Sequence, residues 1–331
     1  MADKPGPQSA SFGGADAPEI LSERRLELAA RAAWLYYAKG QRQDDIARTL
    51  GLSRQVIQRL IATAAAEKLI RFQLLHPLAA CIELADQLAD RFQLVCAEVV
   101  PSLPDRRDNI SSIADAAACT METLLMKTEP AIVAIGGQRV IRDATLRVAP
   151  MHRPMHRLVS LMGNMTREGR ATHYDSIMGL AKRVGAQCYP LPMPVVTDCV
   201  EAKTVLESQP GYRSCATLVR DADLLMTGIG YIDGTAPLLR DGFVTEAELA
   251  RATELGAVGE LRGYCFDAGG SVIDAPHHAR LTSFPLVSPA TSRTILVQCG
   301  AFRVRALRAA FRGGLANGLI TDEETARLLL D

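Results

Sequence analysis

Between Leu21 and Ala66 apolar residues recur at helical spacing, and the rhythm is broken by single glycines. The positions of Leu28, Ala32, Leu35 and Tyr36 predict a helix over residues 22–39, with Ser22 as N-cap and Gly40 as terminator. A second helix is predicted over about 43–50. The turn Gly51-Leu52-Ser53 then leads into a third, from Arg54 to about Ala66. The alternation in "KLIRFQLL" predicts a strand with Ile70, Phe72 and Leu74 on one side. Upstream, residues 1–20 are rich in Gly, Pro, Ser and Ala without any period, which predicts a disordered tail. Residues 21–76 thus form one small module.

Downstream, Leu78, Ile82, Ala85, Leu88, Ala89 and Phe92 mark a further helix, a linker over residues 77–93. Its stripe needs a partner, either a flanking domain or a second copy in a coiled-coil-like contact; the latter is the expectation. From residue 94 to 331 the texture changes. "AIVAIGG" (131–137), "RLVSLMG" (157–163), "DLLMTGIG" (223–230) and "RTILVQCG" (293–300) are short apolar runs, each ending in glycine, with helical patterns between them at 174–184 and 301–312. Such alternation predicts an α/β domain with a mostly parallel sheet covered on both faces. In open sheets of this class ligands bind beyond the carboxyl ends of the strands, where glycine lets backbone N–H groups approach a ligand closely. Each glycine alone is explained equally well by a tight turn; the four together favour a ligand crevice.

The length of 331 residues fits about two domains. With 48% hydrophobic and 22% charged residues the composition is that of an ordinary globular protein. Lys+Arg and Asp+Glu balance at 37 each, yet Leu21–Leu75 carries ten basic and five acidic side chains, a local net of +5. That asymmetry points to an anion-binding module joined to a more acidic domain. Eight scattered cysteines without a CxxC pair fit free thiols in a reducing compartment. There is no membrane-length apolar run and no signal-peptide pattern at the N-terminus, so the expected location is cytoplasmic.

The stretch "QDDIARTLGLSRQVIQRL" sharpens the first module. Small Ala47 permits close helix approach, Gly51 supplies the turn, Leu52 plugs the gap and Ser53 caps the next helix. With Ile46, Leu50, Val56 and Leu60 inside, Arg54, Gln55, Gln58 and Arg59 project outward from the half of a recognition helix that enters the major groove. Guanidinium forks suit guanine O6/N7 and glutamine amides suit adenine N6/N7. Arg42 and Gln43 at the start of the second helix, and Lys68 and Arg71 near the wing, are expected at the DNA backbone. The bland alternative is a three-helix core with a solvated polar face.

The order of these parts resembles the SorC/DeoR-type sugar-binding transcriptional regulators. The resemblance is carried by "AAWLYYAKGQRQDDIARTLGLSRQVIQRLIATAAAEKLIRF", "LVCAEVVPS", "LPMPVV", "DLLMTGIG", "GAVGELRGYCFDAGG" and "RALRAAFRGGLANGLITDEETARLLL", and it covers residues 25–331. It implies a winged helix-turn-helix joined to a sugar-binding effector domain similar to glucosamine-6-phosphate deaminase and ribose-5-phosphate isomerase. It also implies a homo-oligomer, dimer or tetramer, whose grip on double-stranded operator DNA responds to a sugar, polyol or sugar phosphate. The family's first ligand loop commonly runs Gly-Trp-Gly-Arg-Thr. Here Gly136-Gly137-Gln138-Arg139-Val140 takes its place, without the hydroxyl and with Gln138 for a glycine. Arg303 stands where the family often has Lys. The effector-contacting residues expected on this basis are Gly136, Gly137, Gln138, Arg139, Gly163, Asn164, Gly228, Gly230, Asp267 and Arg303.

Other chemistry is thin. Asp233 and Asp267 are the only attractive bases for a sugar-phosphate isomerase, the competing reading, in which the first module merely dimerises. A fused helix-turn-helix argues against turnover. His152 and His156 flank Pro154, and His277-His278 lack a third ligand at sensible spacing, so no metal site or cofactor is expected. Thr321 and Glu324 are expected to cap the last helix. The sequence alone therefore points to a non-enzymatic regulator, more of a repressor than an activator, of a carbohydrate or polyol catabolic operon.

Overall fold

A computed structural model describes residues 17–67, 69–70, 79–103, 106–166, 168–172, 176–287, 290 and 292–331. The chain divides into two compact units, Met1–Leu75 and His76–Asp331.

In the first unit α1 (Ala17–Ala33) continues into a π-helical turn, Trp34–Ala38, and is followed by α2 (Gln43–Leu50) and α3 (Arg54–Ala66). Helix α1 takes in residues 17–20 of the expected tail, whose remainder lies outside the described residues, and Ser22 lies inside the helix instead of at its start. Ala29, Ala32 and Ala33 are buried, whereas Leu28 points outward. These small residues let α1 approach α3 closely, and Ile46, Ile57, Leu60, Ile61 and Ala64 complete the core. Leu50, Leu52 and Val56 pack around it. The wing strand expected over 68–75 and its cations Lys68 and Arg71 lie for the most part outside the described residues.

The second unit opens with α4 (Ala79–Phe92) and β1 (Cys96–Val100), followed by α5 (Arg106–Leu125), β2 (Ile132–Ile135), α6 (Arg139–Arg147), β3 (Arg157–Ser160), α7 (Ile177–Val184) and β4 (Gln187–Tyr189). Helices α8 (Val200–Glu207) and α9 (Pro210–Arg220) lead to β5 (Leu224–Thr227) and β6 (Gly230–Tyr231). Next come α10 (Pro237–Arg240), α11 (Glu246–Glu254), β7 (Gly259–Leu261), β8 (Tyr264–Phe266) and β9 (Arg293–Val297). The chain ends with α12 (Val304–Arg312), β10 (Gly318–Asp322) and α13 (Glu323–Leu330). Seven strands form one parallel sheet in the order β1-β10-β9-β5-β2-β3-β4. Alternate residues feed cores on the two faces of the sheet, with Ala134, Val159 and Leu225 packed on α9. Val133, Ile135, Leu224, Met226, Ile295 and Val297 join one with α5, α6 and α7. Leu296 and Leu319 join the other with α4, α12 and α13. Burial on both faces explains why the strands are continuously apolar.

The stripe on α4 is covered by this same unit. Leu84 and Leu88 are buried among Phe266, Leu296, Phe311 and Leu329, and Phe92 stacks on Phe311 at 5.2 Å. The expected pairing with a second copy is corrected accordingly, and Ile82, placed in the stripe by spacing, is exposed. A small antiparallel sheet, β6-β7-β8, was not anticipated. At the last helix the cap is Asp322 rather than Thr321: its Oδ1 accepts from Thr325 N at 3.0 Å.

Candidate functional site

Helix α3 begins as the sequence suggests. Gly51 adopts the left-handed conformation (φ 66°), and its N–H closes onto the Ala47 carbonyl. Ser53 is extended, and its Oγ accepts from Val56 N at 3.4 Å. Burial of Ile57, Leu60 and Ile61 leaves Arg54, Gln55, Gln58 and Arg59 exposed together on the opposite face. Arg42 is exposed at the N-cap of α2 and Gln43 is half-buried beside it. Arg54 lies 3.7 Å from Asp44, an open pair that a phosphate or base edge can displace at little cost.

In the second unit the strand order reverses between β2 and β5. That is the switch point at which open α/β sheets bind ligands. Gly136 and Gly137 leave β2 there and Arg139 opens α6, so the helix N-terminus faces the crevice. A Cβ on Gly136 would lie 2.2 Å from Thr227 Oγ1, so only glycine fits between the two strand ends. The cleft above, about 710 Å³, is lined among others by Gln138, Arg139, Tyr231, Arg240, Glu260 and Arg303. A neighbouring recess under the end of β3 contains Gly136, Gly137, Gly163 and Asn164.

Gly228 and Gly230 do not line the cleft; they make room for the side chains that do. A Cβ on Gly228 would fall 2.7 Å from Gln138 Oε1, and one on Gly230 would fall 2.0 Å from Glu260 Oε1. Gln298 steadies this floor, donating to Ile229 O at 3.1 Å and to Gln138 Oε1 at 3.4 Å. Arg303 donates to Cys299 O at 3.0 Å and stacks on Phe302 at 4.2 Å, while its buried Nε has no hydrogen-bond partner. Burial lowers its pKa, which leaves a charged group short of partners at the cleft wall.

Glu260 was missed from sequence. It projects from β7 and is only 4% exposed; its Oε2 accepts from Gly263 N at 2.8 Å. Desolvation pushes its pKa up to about 7, so the group switches near neutrality between proton donor and acceptor. Arg240 and Asp241, an ion pair at 3.0 Å on the cleft rim, were missed as well. Nothing local in the sequence marks these three, because they arrive from α10 and the unanticipated small sheet.

Asp267 is a correction. Its Oδ1 accepts from Gly269 N at 2.9 Å and Ser271 N at 3.0 Å, closing its own turn away from the cleft lining. Asp233 likewise caps a turn through Thr235 N at 2.6 Å. Neither carboxylate is placed as a base over a bound sugar. Folding brings Cys265 beside His277 and His278, a third group that the sequence spacing did not show. The rings there serve the backbone: His277 Nε2 meets Gly263 O at 2.8 Å, and His278 Nε2 accepts from Cys265 N at 2.8 Å. The cluster ties the β7–β8 hairpin to the following turn. His156, fully buried, likewise bridges Ala131 N and Leu125 O.

Residues 76–331 match the Sugar-bind family, described as "Putative sugar-binding domain". The chain is 31% identical over 306 residues to the erythritol catabolism regulatory protein EryD of Brucella abortus, spanning 92% of this chain and 96% of that one. It is 31% identical over 336 residues to the transcriptional regulator LsrR of Enterobacter sp., spanning 100% and 99%. The chain belongs to the sugar-binding transcriptional regulators. The full-length sorbitol operon regulator SorC of Klebsiella pneumoniae has the same fold, with a TM-score of 0.73 at 22% identity over 96% of this chain and all (100%) of that one. The isomerase alternative falls with this assignment, since the matched relatives are regulators of transcription and not enzymes. Among the described residues no helix is long and apolar enough to cross a membrane.

Proposed function

We propose that this regulator acts in the cytoplasm as a homo-oligomer that reads double-stranded operator DNA with α3, and that its effector is a phosphorylated sugar or short polyol held in the cleft over β2 and β5. The observation that carries the effector class is the charge of the cleft. Arg139, Arg240 and Arg303 border it together with the N-terminus of α6, against Asp241 and a Glu260 whose carboxyl, raised to about 7, is only part-ionised near neutrality. Such a set attracts an anion, while Gln138 and Glu260 suit hydroxyls. The name of the erythritol regulator supports a polyol skeleton.

On the DNA side, Arg54, Gln55, Gln58 and Arg59 contact base edges, and Arg42, Gln43 and Ser53 contact the backbone. An effector that fits one quaternary arrangement better than another shifts operator affinity by that difference and no more. Repression relieved by the effector is the simplest form of this coupling. Fluorescence anisotropy on the DNA upstream of the regulator's own operon tests both halves. R54A and Q58A should each weaken binding by about 1–3 kcal/mol. Polyol phosphates should change the affinity where the free polyols do not. Unchanged binding by both variants would sink the DNA assignment, and equal responses to phosphorylated and free polyols would sink the effector class.

A further inference from the structure

Arg262 also lines the cleft. It occupies the first position of the two-residue turn between β7 and β8, with φ 55° at Arg262 and 89° at Gly263. Turns with two such residues favour Asn or Gly, and a side chain as large as arginine is out of place there. The residue is 8% exposed, its Nη1 has no hydrogen-bond partner, and no ion pair to it occurs among the described residues. Burial lowers its pKa to about 10, which still leaves the guanidinium protonated at neutral pH. A buried cation without a counter-charge is costly, and proteins keep one where a ligand supplies the missing anion.

Arg262 also lines a second cavity of about 740 Å³, on the face of the sheet covered by α9. Its other walls are mainly apolar: Val219, Leu225, Phe284 and Leu315, with Thr294 at one side. Tyr264, two residues on from Arg262, donates its hydroxyl to Ser283 O at 3.0 Å, next to Phe284 of the cavity wall. A sugar phosphate, hydroxylated throughout, does not match such walls; a hydrocarbon body with one anionic end does.

We propose that this cavity binds a small carboxylic acid with an apolar body, medium-chain or aromatic, its carboxylate paired with Arg262 and its hydrocarbon packed on Val219, Leu225, Phe284 and Leu315. The fork of the guanidinium accepts a carboxylate through two parallel N–H···O bonds, which satisfies the orphaned Nη1. Arg262 stands where this cavity meets the cleft, whereas Val219, Leu225, Phe284 and Leu315 line the cavity alone, so the apolar part of the site does not depend on the identity of the effector proposed above.

Calorimetric titration of the full-length protein tests it, with hexanoate and benzoate as probes and hexan-1-ol and benzyl alcohol as their uncharged counterparts. Saturable binding of at least one carboxylate is expected, at least tenfold tighter than its alcohol. R262Q should lower carboxylate affinity tenfold or more and leave the alcohol unchanged. A216W, which fills the cavity from α9 and keeps the arginine, should abolish binding of both. Because Arg262 lies in a tight turn, A216W keeps the test decisive if R262Q does not fold. The proposal is overturned if no probe saturates, if acid and alcohol bind alike, if R262Q leaves carboxylate affinity intact, or if A216W binds carboxylate as the parent does. Operator binding is not part of this readout, so failure here leaves the function above untouched.

Discussion

Glu260 makes the stability of this protein depend on pH in a calculable way. Its carboxyl is buried between β7 and Gly230, and its pKa rises from an ordinary 4.5 to about 7 because the ionised form loses its hydration. Each unit is worth about 1.4 kcal/mol. The cost of keeping an ionised Glu260 in the fold is therefore on the order of 3 kcal/mol. The sign follows from proton counting. Between 4.5 and about 7 the folded chain holds a proton that the unfolded chain has lost, so stability falls as pH rises through that window and levels off above it. Replacing Glu260 with Gln keeps an acceptor for Gly263 N and removes the titration. Urea denaturation of parent and E260Q at a series of pH values from about 4 to 8.5 reads the effect directly. The two should coincide near the acid end, and E260Q should be more stable by roughly 3 kcal/mol at the alkaline end. Parallel curves across the whole range would refute the reasoning and show that water or a neighbour solvates the carboxylate.

Three further outcomes follow from the geometry. Ser53→Ala removes the α3 cap, whose bond to Val56 N is long at 3.4 Å, and should lower the unfolding free energy of the first unit by about 0.5–1 kcal/mol in thermal melts. Asp44→Asn frees Arg54 from its exposed partner and removes a negative charge next to the reading face; operator affinity in anisotropy titrations should rise about two- to fivefold. Gly228→Ala forces the Gln138 side chain from its place, since the new Cβ would sit 2.7 Å from Oε1. Loss of one or two effector contacts should weaken the response to effector by about tenfold while leaving operator affinity in its absence unchanged.

The helix-turn-helix was legible in the sequence because each of its signals is local. Gly51 needs a left-handed turn, Ser53 needs only the next turn of its own helix, and a period of 3.6 residues separates Ile57 and Leu60 from Arg54, Gln55, Gln58 and Arg59. The parallel sheet was legible for a related reason: strands buried on both faces leave uninterrupted apolar runs, and glycines mark their ends. The same locality explains the misses. On α1 helical spacing allowed a face with Leu28 or one turned by a single residue, and the fold buries the small Ala29, Ala32 and Ala33 while Leu28 is exposed. Asp267 follows a strand and a turn, so spacing made it a candidate for the ligand, yet two backbone N–H groups four residues away or less take up its carboxylate.

What the sequence by itself determined is the pair of modules, the exposed Arg- and Gln-rich face of α3 and the first loop of the cleft, Gly136 to Arg139. Only the tertiary structure decided the rest of the site. Glu260, Arg262 and Arg240 come to the crossover point from about 100 to 125 positions further along the chain. They get there because β6, β7 and β8 form a sheet of their own beside the parallel one. The covering of α4, the partnerless guanidinium of Arg262 and the raised pKa of Glu260 are likewise products of burial. Burial depends on which distant segments pack together, and the apolar rhythm of a single segment carries no record of its neighbours.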